Sequence, residues 1–462
     1  MADAKKPPGA GQRRQPYSGY YNRPPAGDDP LLTSVGPETP GGEYLRQYWH
    51  PFMLASELGS LPVALRLLGE DLVVFRDGSG RLGLLHKHCA HRGVSLEFGI
   101  IAERGIRCCY HGWHFDVDGS ILDTPAEPPN SRIKENFCQG AYRVREEFGL
   151  LFAYMGPPEN EPAFPLYDTF VDQDEQLAPF KFNVPCNWLQ IVENACDPIH
   201  NAFLHAIVSA SGQQFASTFK VLPALDFVDT PLGFLSMATR KVGDRVFLRA
   251  GEIILPNVAQ FPAGTNAAEK ESVLGHPTIT RWATPLDDHH SLYIGATHLN
   301  PLSKPRSMRP EDYGVDKFPL LGQTGDRPYP ERQVEPGDYD AMVSPGPIAN
   351  RRAEHLGTTD RGIVLFRRML AAAIRAHQAG EPYAVPRRAP AGEPVVTYAH
   401  ETVLRLPHPD ALSAPGALAD FGRLAAQVFI DVDQPVSTRR DALAEQGVRR
   451  VLAEFCDEAA RA

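Results

Sequence analysis

Cys89-Ala-His91-Arg-Gly93 and, after sixteen residues between His91 and Cys108, Cys108-Cys-Tyr-His111-Gly-Trp-His-Phe-Asp116 decide how the first third of the chain is read. Each stretch offers one thiolate and one imidazole, spaced Cys-x-His and Cys-x-x-His. Tetrahedral zinc accepts two cysteines and two histidines, but common zinc fingers pair Cys with Cys and His with His along the sequence. One of each per loop suits a [2Fe–2S] cluster, each loop giving its Cys to one iron and its His to the other. Gly93 and Gly112 permit close backbone approach, so amide N–H groups can bond sulfur there. Cys109 could shift the register, but only Cys108 keeps the Cys-x-x-His spacing. His86, His88 and His114 read as bystanders.

Around these loops, from Val63 to Phe152, strand-like runs such as Leu65-Arg-Leu-Leu68, Leu72-Val-Val-Phe75 and Leu82-Gly-Leu-Leu85 alternate with turn signals. Asp77-Gly-Ser-Gly80 reads as a hairpin turn. The expected unit is a small all-β domain with both ligand loops between its strands. Before it, Glu43-Tyr-Leu-Arg-Gln-Tyr-Trp49 reads as a short helix.

Past the proline-rich linker Gly156 to Pro165 a second signature appears: Asn187-Trp-Leu-Gln-Ile-Val-Glu-Asn194-Ala-Cys-Asp197-Pro-Ile-His200-Asn-Ala-Phe-Leu-His205. The run has helical character around a polar face. Asp197 and His200, three apart, share that face. His200 and His205 are five apart, roughly 140° around an ideal helix. Both can hold one ion only if the helix is widened or broken there, and Pro198 removes a backbone donor just before the first histidine. A helix with core-facing histidines and an Asp cap is the bland alternative. Two histidines with one carboxylate make the facial triad of non-haem Fe(II) oxygenases, with positions open for O₂. β-rich sequence follows (Gly233 to Phe261 and Pro277 to His298), then an amphipathic helix from Gly362 to Gln378. Pro382 to Pro394 is a Pro/Arg-rich connector, and the remainder reads as a helical tail.

Composition bounds the function. The chain has 462 residues, 43% hydrophobic and 22% charged, which fits two or three globular domains. A net charge of −10 argues against a nucleic-acid protein, and no apolar run is long enough to span a membrane. The N-terminal thirty residues carry Lys5, Lys6, Arg13 and Arg14 without an apolar segment behind them. This is no secretory signal, and the Pro/Gly density fits a disordered arm better than an organelle address. Of the seven cysteines, Cys89 and Cys108 fall in the ligand pattern, and the scattered Cys109, Cys138, Cys186, Cys196 and Cys456 suit a reducing, cytoplasmic setting.

The quoted loops resemble those of Rieske proteins, with Cys109 where a proline is usual. From about Leu31 to Leu370 the chain resembles the Rieske non-haem iron oxygenase alpha subunits, and most closely the phthalate 4,5-dioxygenase-like group. Leu32-Thr-Ser-Val-Gly-Pro-Glu-Thr-Pro-Gly-Gly42 and Leu68-Gly-Glu-Asp-Leu-Val-Val-Phe-Arg76 carry that likeness as well. The resemblance implies an α+β protein: an N-terminal all-β Rieske [2Fe–2S] domain (31–160) after the arm (1–30), and a C-terminal helix-grip catalytic domain, Bet v1/START-like with an antiparallel sheet (161–380). The connector and helical tail occupy 381–462. It implies Cys89, His91, Cys108 and His111 as cluster ligands, and His200 and His205 on a mononuclear Fe(II). Asp197 becomes a bridge for electrons toward the Rieske histidine of a neighbouring subunit, and Asn194 lies near the iron. The third iron ligand falls in Asp338-Tyr-Asp-Ala-Met-Val-Ser-Pro-Gly-Pro-Ile348 at Asp338, with Asp340 and Asp360 as competitors. Head-to-tail homotrimers or hexamers follow, because in the family one subunit's cluster serves the next subunit's iron.

No G-x-G-x-x-G unit is evident, so electrons are expected from a separate NAD(P)H-dependent reductase of flavin or ferredoxin type. The expected reaction is O₂-dependent hydroxylation or O-demethylation of a small aromatic substrate, with Ile207, Val208, Phe247 and Ile253 as candidate pocket residues. An aromatic carboxylate would want a cationic anchor such as Arg240, Arg245 or Arg249; the alternative for each is a strand-edge arginine in solvent. A non-aromatic natural-product intermediate is the other substrate reading. A Rieske electron carrier would end near residue 155, and a non-catalytic lipophilic-pocket protein would need neither His200 nor His205.

Overall fold

The computed structural model describes residues 15–22, 27–171, 176–208, 217–262, 271–299, 309–382, 392–408 and 410–461. Most of the expected N-terminal arm and residues 383–391 of the connector lie outside them.

Leucine- and valine-rich runs broken by turns form β1 (Trp49–Leu54), β2 (Val63–Leu67), β3 (Glu70–Arg76) and β4 (Leu82–His86). The short strands β5 (Ile100–Ile101), β6 (Ile106–Arg107), β7 (His114–Phe115) and β8 (Ile121–Asp123) follow, then β9 (Ala141–Glu147) and β10 (Leu150–Tyr154). One antiparallel sheet runs β1-β10-β9-β4-β3-β2, and a second, four-stranded one runs β5-β6-β7-β8. The hairpin turn after β3 is closed by the Asp77 carboxylate, which accepts the amides of Ser79 and Arg81 at 3.1 and 2.9 Å. Side chains alternate faces along β3. Leu72 and Val74 enter the large central core, whereas Val73 and Phe75 pack with Leu96, Ile106, Trp113 and Phe115 around Cys89 and Cys108.

A third sheet, of nine strands, is larger. β11 (Leu177–Val184), β12 (Ala224–Thr230), β13 (Gly233–Val242), β14 (Arg245–Ile254), β15 (Val258–Pro262), β17 (Pro277–Pro285) and β18 (Ser291–His298) run in the order β11-β18-β17-β15-β14-β13-β12. β16 (Ser272–Gly275) pairs with β19 (His400–Arg405), and β19 pairs with the first half of β14. All of these pairings are antiparallel. Period-two alternation again sorts the faces. Leu235 and Met237 of β13, with Val246, Leu248 and Ala250 of β14, pack under the helices Ala417–Val432 and Thr438–Arg461. Ser236 and Ala238, with Arg249 and Gly251, face the opposite side and line a cavity. The helices Trp188–Ala195 and Arg361–Ala379 bring Trp188, Ile191, Val192, Phe366, Leu370 and Ile374 into the central core.

Two expectations change. The early helix spans Pro40–Leu45, not Glu43–Trp49, because Thr39 caps the Gly42 amide at 3.2 Å and Pro40 sits at the first helical position. Trp49 instead opens β1. Leu32, Val35, Tyr44 and Leu45 from this segment share the core of the second region with Phe366 and Leu370. The C-terminal stretch is not solely helical: β19 joins the nine-stranded sheet through β14 and β16, and Asp168 and Arg440, both buried, tie the tail down at 2.9 Å.

Candidate functional site

The two thiol/imidazole loops are built alike despite their different spacing. In each, the cysteine amide bonds a carbonyl five residues on: Cys89 to Val94 at 2.9 Å, Cys108 to Trp113 at 2.8 Å. In each, the glycine four residues on returns its amide to the cysteine carbonyl, at 2.8 Å from Gly93 and 3.1 Å from Gly112. These glycines have φ of 76° and 74°, the left-handed region that only glycine enters freely. Both cysteines are buried and form no disulfide. Burial pushes the Cys89 thiol up to about 11, the His91 amide on its sulfur opposes this, and the adjacent Cys108 thiol adds to the rise. The imidazoles lie further out, half-buried, with His91 and His111 ring centroids 4.7 Å apart. Trp113 stacks on His91 at 4.6 Å and 3°, fixing its orientation. Sulfur meets sulfur on the buried side and imidazole meets imidazole on the outer side. A two-iron cluster with Cys on one metal and His on the other fits that donor set.

Gln139 braces the first loop in a way the sequence did not announce. Its Nε2 donates to the carbonyls of His86 and His88, at 2.8 and 2.9 Å, and its Oε1 accepts the Ala90 amide at 2.7 Å. The bystander histidines are engaged elsewhere. His88 Nδ1 meets the Gly93 carbonyl, His114 Nε2 the Arg104 carbonyl, and His86 lies 3.4 Å from Glu70. Cys109 is exposed.

The second centre is assembled from three segments. Asn187 caps the helix Trp188–Ala195 through the Leu189 amide at 3.2 Å, and its Nδ2 donates to the Thr33 and Asp288 carbonyls, both at 2.8 Å. The helix stops before Pro198, where Asp197 Oδ1 takes the Ile199 amide at 2.8 Å. A new turn, His200–Phe203, then widens into a π-helical turn over Leu204–Val208. That widening brings residues five apart to the same side, and the His200 and His205 rings sit 5.3 Å apart. Asp338, at the start of the helix Asp338–Val343, comes between them. Its Oδ1 is 3.6 Å from His200 Nε2 and its Oδ2 is 3.2 Å from His205 Nε2. One donor atom from each of the three lies within 4.8 Å of the others, and no other such group occurs among the described residues.

Burial alone would raise the Asp338 carboxyl, but the imidazoles of His205 and His200 and the Gln323 amide outweigh it and hold it well below the carboxylate range. Burial alone would lower His200, and the carboxylates of Asp197 and Asp338 outweigh that and raise it. Asn194 Nδ2 donates to Asp338 Oδ1 at 3.1 Å, and Gln323 Nε2 to Oδ2 at 2.5 Å. On the far side of the His200 ring, Asp197 Oδ2 lies 3.6 Å from Nδ1. Two imidazoles and one anionic carboxylate, the carboxylate braced by Asn194 and Gln323 and the His200 ring flanked by Asp197, fit a divalent iron with positions to spare. Asp340 and Asp360 are employed otherwise. Asp340 pairs with Arg332 and Arg327 and takes the Gly337 amide, and Asp360 takes the Gly357 amide.

The triad opens into a cavity of about 80 Å³, walled by Ser236, Ala238, Arg249, Phe261, Arg281, Tyr293 and Phe318 among others. Of the expected pocket residues, Phe247 and Ile253 are buried in apolar clusters outside it. The side chains of Ile207 and Val208 lie outside the described residues. Of the expected cationic anchors, Arg249 lines the cavity, Arg240 is fully buried near it, and Arg245 sits at a strand end near Asp244. Gln323, Arg281 and Phe318 carried no local signal in the sequence; sheet register and loop path bring them here.

Residues 48–140 match the family described as Rieske [2Fe-2S] domain, and residues 153–219 match the one described as LigXa C-terminal domain like. The tert-butanol monooxygenase / tert-amyl alcohol desaturase oxygenase subunit of Aquincola tertiaricarbonis is 43% identical over 87% of this chain and 89% of its own. Phenoxybenzoate dioxygenase subunit alpha of Ectopseudomonas oleovorans is 38% identical over 79% and 89%. The phthalate 4,5-dioxygenase oxygenase subunit of Pseudomonas putida is 31% identical over 76% and 86%. Among solved structures, dicamba monooxygenase bound to dicamba gives a TM-score of 0.56 at 17% identity, covering 72% of this chain and 99% of that one, a likeness of fold alone. The chain therefore belongs to the Rieske non-haem iron oxygenases, as an oxygenase alpha subunit whose cofactors are a Rieske [2Fe–2S] cluster and a mononuclear iron.

Proposed function

We propose that this chain is the terminal oxygenase of a multicomponent system. In the proposal a separate NAD(P)H-dependent reductase supplies two electrons, and O₂ and two protons are used to hydroxylate or O-demethylate a small aromatic carboxylate. Water is the second product of monooxygenation; in O-demethylation the hydroxylated methyl group leaves as formaldehyde, and in cis-dihydroxylation both oxygen atoms enter the substrate. The observation that carries the reading is the His200–His205–Asp338 group opening on a cavity whose wall holds guanidinium groups against aromatic rings. Bound there, the metals would supply electron storage and O₂ activation. Cys89, His91, Cys108 and His111 are assigned to the cluster, and His200, His205 and Asp338 to the iron. The protein's other contributions are positional. Asp197 orients His200 and offers a carboxylate toward a neighbouring subunit in a head-to-tail trimer or hexamer. Asn194 and Gln323 fix both oxygens of Asp338, and Phe261, Tyr293 and Phe318 exclude water and hold an aromatic ring beside the open positions.

Two of the relatives above are named for aromatic acids, phenoxybenzoate and phthalate, which favours an aromatic carboxylate here. A branched tertiary alcohol is the second reading, favoured by the relative at 43% identity and by the small cavity. The test is reconstitution with a reductase and NADH, scoring product formed per O₂ consumed on phthalate, 3-phenoxybenzoate, tert-butanol and tert-amyl alcohol. Product from an acid supports the first reading, and product from the alcohols alone replaces it with the second. Metal analysis should find about three irons and two sulfides per chain; two irons, with no change on replacing His200, would sink the oxygenase assignment.

A further inference from the structure

The carboxylate assigned as the third iron ligand starts a helix whose other end runs short of chain donors. Asp338–Val343 leads into Ser344-Pro-Gly-Pro-Ile348, and Pro345 and Pro347 have no N–H to offer the last carbonyls of that helix. The amide of Gly346, a turn residue with φ of 101°, goes to the Val343 carbonyl at 3.0 Å. A side chain from another helix supplies the missing donors. Gln190 is buried, and its Nε2 donates to the Met342 carbonyl at 2.8 Å and the Gly346 carbonyl at 3.0 Å, while its Oε1 accepts the Ala349 amide at 2.9 Å. The nearby Asn187 amide donates to the Pro347 carbonyl at 2.7 Å.

Gln190 and Asn194 stand four apart on the helix Trp188–Ala195, one above the other on the same face. Asn194 holds the Asp338 carboxylate at the start of the six-residue helix, and Gln190 holds its far end. Two fixed points, one turn apart, set both the position and the rotation of Asp338–Val343 against the helix that leads through Asp197 to His200. The first cluster loop is held by the same pattern, two carbonyls and one amide on the side chain of Gln139. We infer that Gln190 is a positioning residue for the mononuclear iron. It lies off the cavity wall and offers the metal no atom, and it acts by fixing where the Asp338 carboxylate meets the two imidazoles. The inference rests on the assignment of Asp338 to the iron and extends it to a residue outside the ligand set.

The experiment compares wild type, Gln190→Met, Asp338→Ala and Arg440→Ala, each full-length oxygenase incubated with Fe(II) before assay. Iron transfer to ferrozine is followed over time, the cluster is checked by its EPR signal, and the iron site by the EPR signal of its nitric oxide adduct. Gln190→Met is expected to release iron about tenfold faster than wild type, with an unchanged cluster signal and a broadened nitrosyl signal. Arg440→Ala breaks the buried pair with Asp168 and touches neither helix, so it is expected to release iron at the wild-type rate even where its melting temperature falls as far. Wild-type release or an unchanged nitrosyl signal in Gln190→Met would overturn the inference. Equally fast release from Arg440→Ala at a matched melting temperature would overturn it too, by reducing Gln190 to a contact of the fold. Full iron retention in Asp338→Ala would overturn the ligand assignment beneath it as well. If Gln190→Met does not fold, Gln190→Glu, which keeps the acceptor for Ala349 and loses both donors, carries the same comparison.

Discussion

Both oxygens of Asp338 are engaged by amides, Oδ1 by Asn194 and Oδ2 by Gln323, with an imidazole close to each. Such outer partners hold a ligand in the geometry a metal needs, and their loss typically weakens metal binding by about 10- to 100-fold. Gln323→Leu is therefore expected to lose iron to a chelator at least about tenfold faster than wild type, with the cluster's visible absorption unchanged. Asp338→Ala should retain the two cluster irons and lose the third, whereas Asp340→Ala should keep all of them, since Asp340 serves Arg332 and the Gly337 amide. Iron counted per sulfide separates these outcomes. Equal loss from the two aspartate variants would remove Asp338 from the ligand set.

At the scale of elements, what could be read from the sequence was what depends on near neighbours in the chain. The Cys-x-His and Cys-x-x-His spacings carry their loop geometry within six residues, and the five-residue step from His200 to His205 already required a distorted helix, which is the π-helical turn over Leu204–Val208. Gln323, Arg281 and β19 were not legible, because they depend on which strands pair across a nine-stranded sheet. The C-terminal stretch shows the cost of that blindness: it reads as an idle helical tail, yet it holds two buried polar contacts to the body. Asp168 and Arg440 form a buried pair at 2.9 Å, and removing one partner of such a pair costs about 3–5 kcal/mol. Arg440→Ala should lower the urea midpoint accordingly; a shift worth under about 1 kcal/mol would show the tail to be loosely held. Nearby, Glu252 accepts the Tyr398 amide at 2.6 Å and the Thr230 hydroxyl at 3.0 Å, and burial raises its carboxyl to about 8 from an ordinary 4.5. The contribution of neutral Glu252 is fully present below the unfolded value and is lost as pH rises from there through about 8. Glu252→Gln should flatten the fall in melting temperature across that window, and a fall as steep as in wild type would exonerate Glu252.

For the whole molecule, the decisive question is which cluster serves which iron. The Rieske loops end in half-buried imidazoles, His91 and His111, while Asp197, with a side chain 26% exposed, sits on the far side of the His200 ring from Asp338. Paired across a subunit boundary, those features make each working centre a product of two chains. Two dead variants then become informative. Cys108→Ser removes a cluster ligand, and His200→Ala removes an iron ligand. If electrons cross between subunits, oligomers refolded or co-expressed from the two together should recover up to about a quarter of wild-type turnover, because random mixing places a competent cluster beside a competent iron at roughly one junction in four. If each chain served only itself, the mixture would stay as inactive as either parent. Asp197→Asn refines the result: it should keep its iron and its cluster signal yet slow re-oxidation of the reduced cluster by O₂ in the presence of substrate. Unchanged re-oxidation would assign Asp197 to orienting His200 alone.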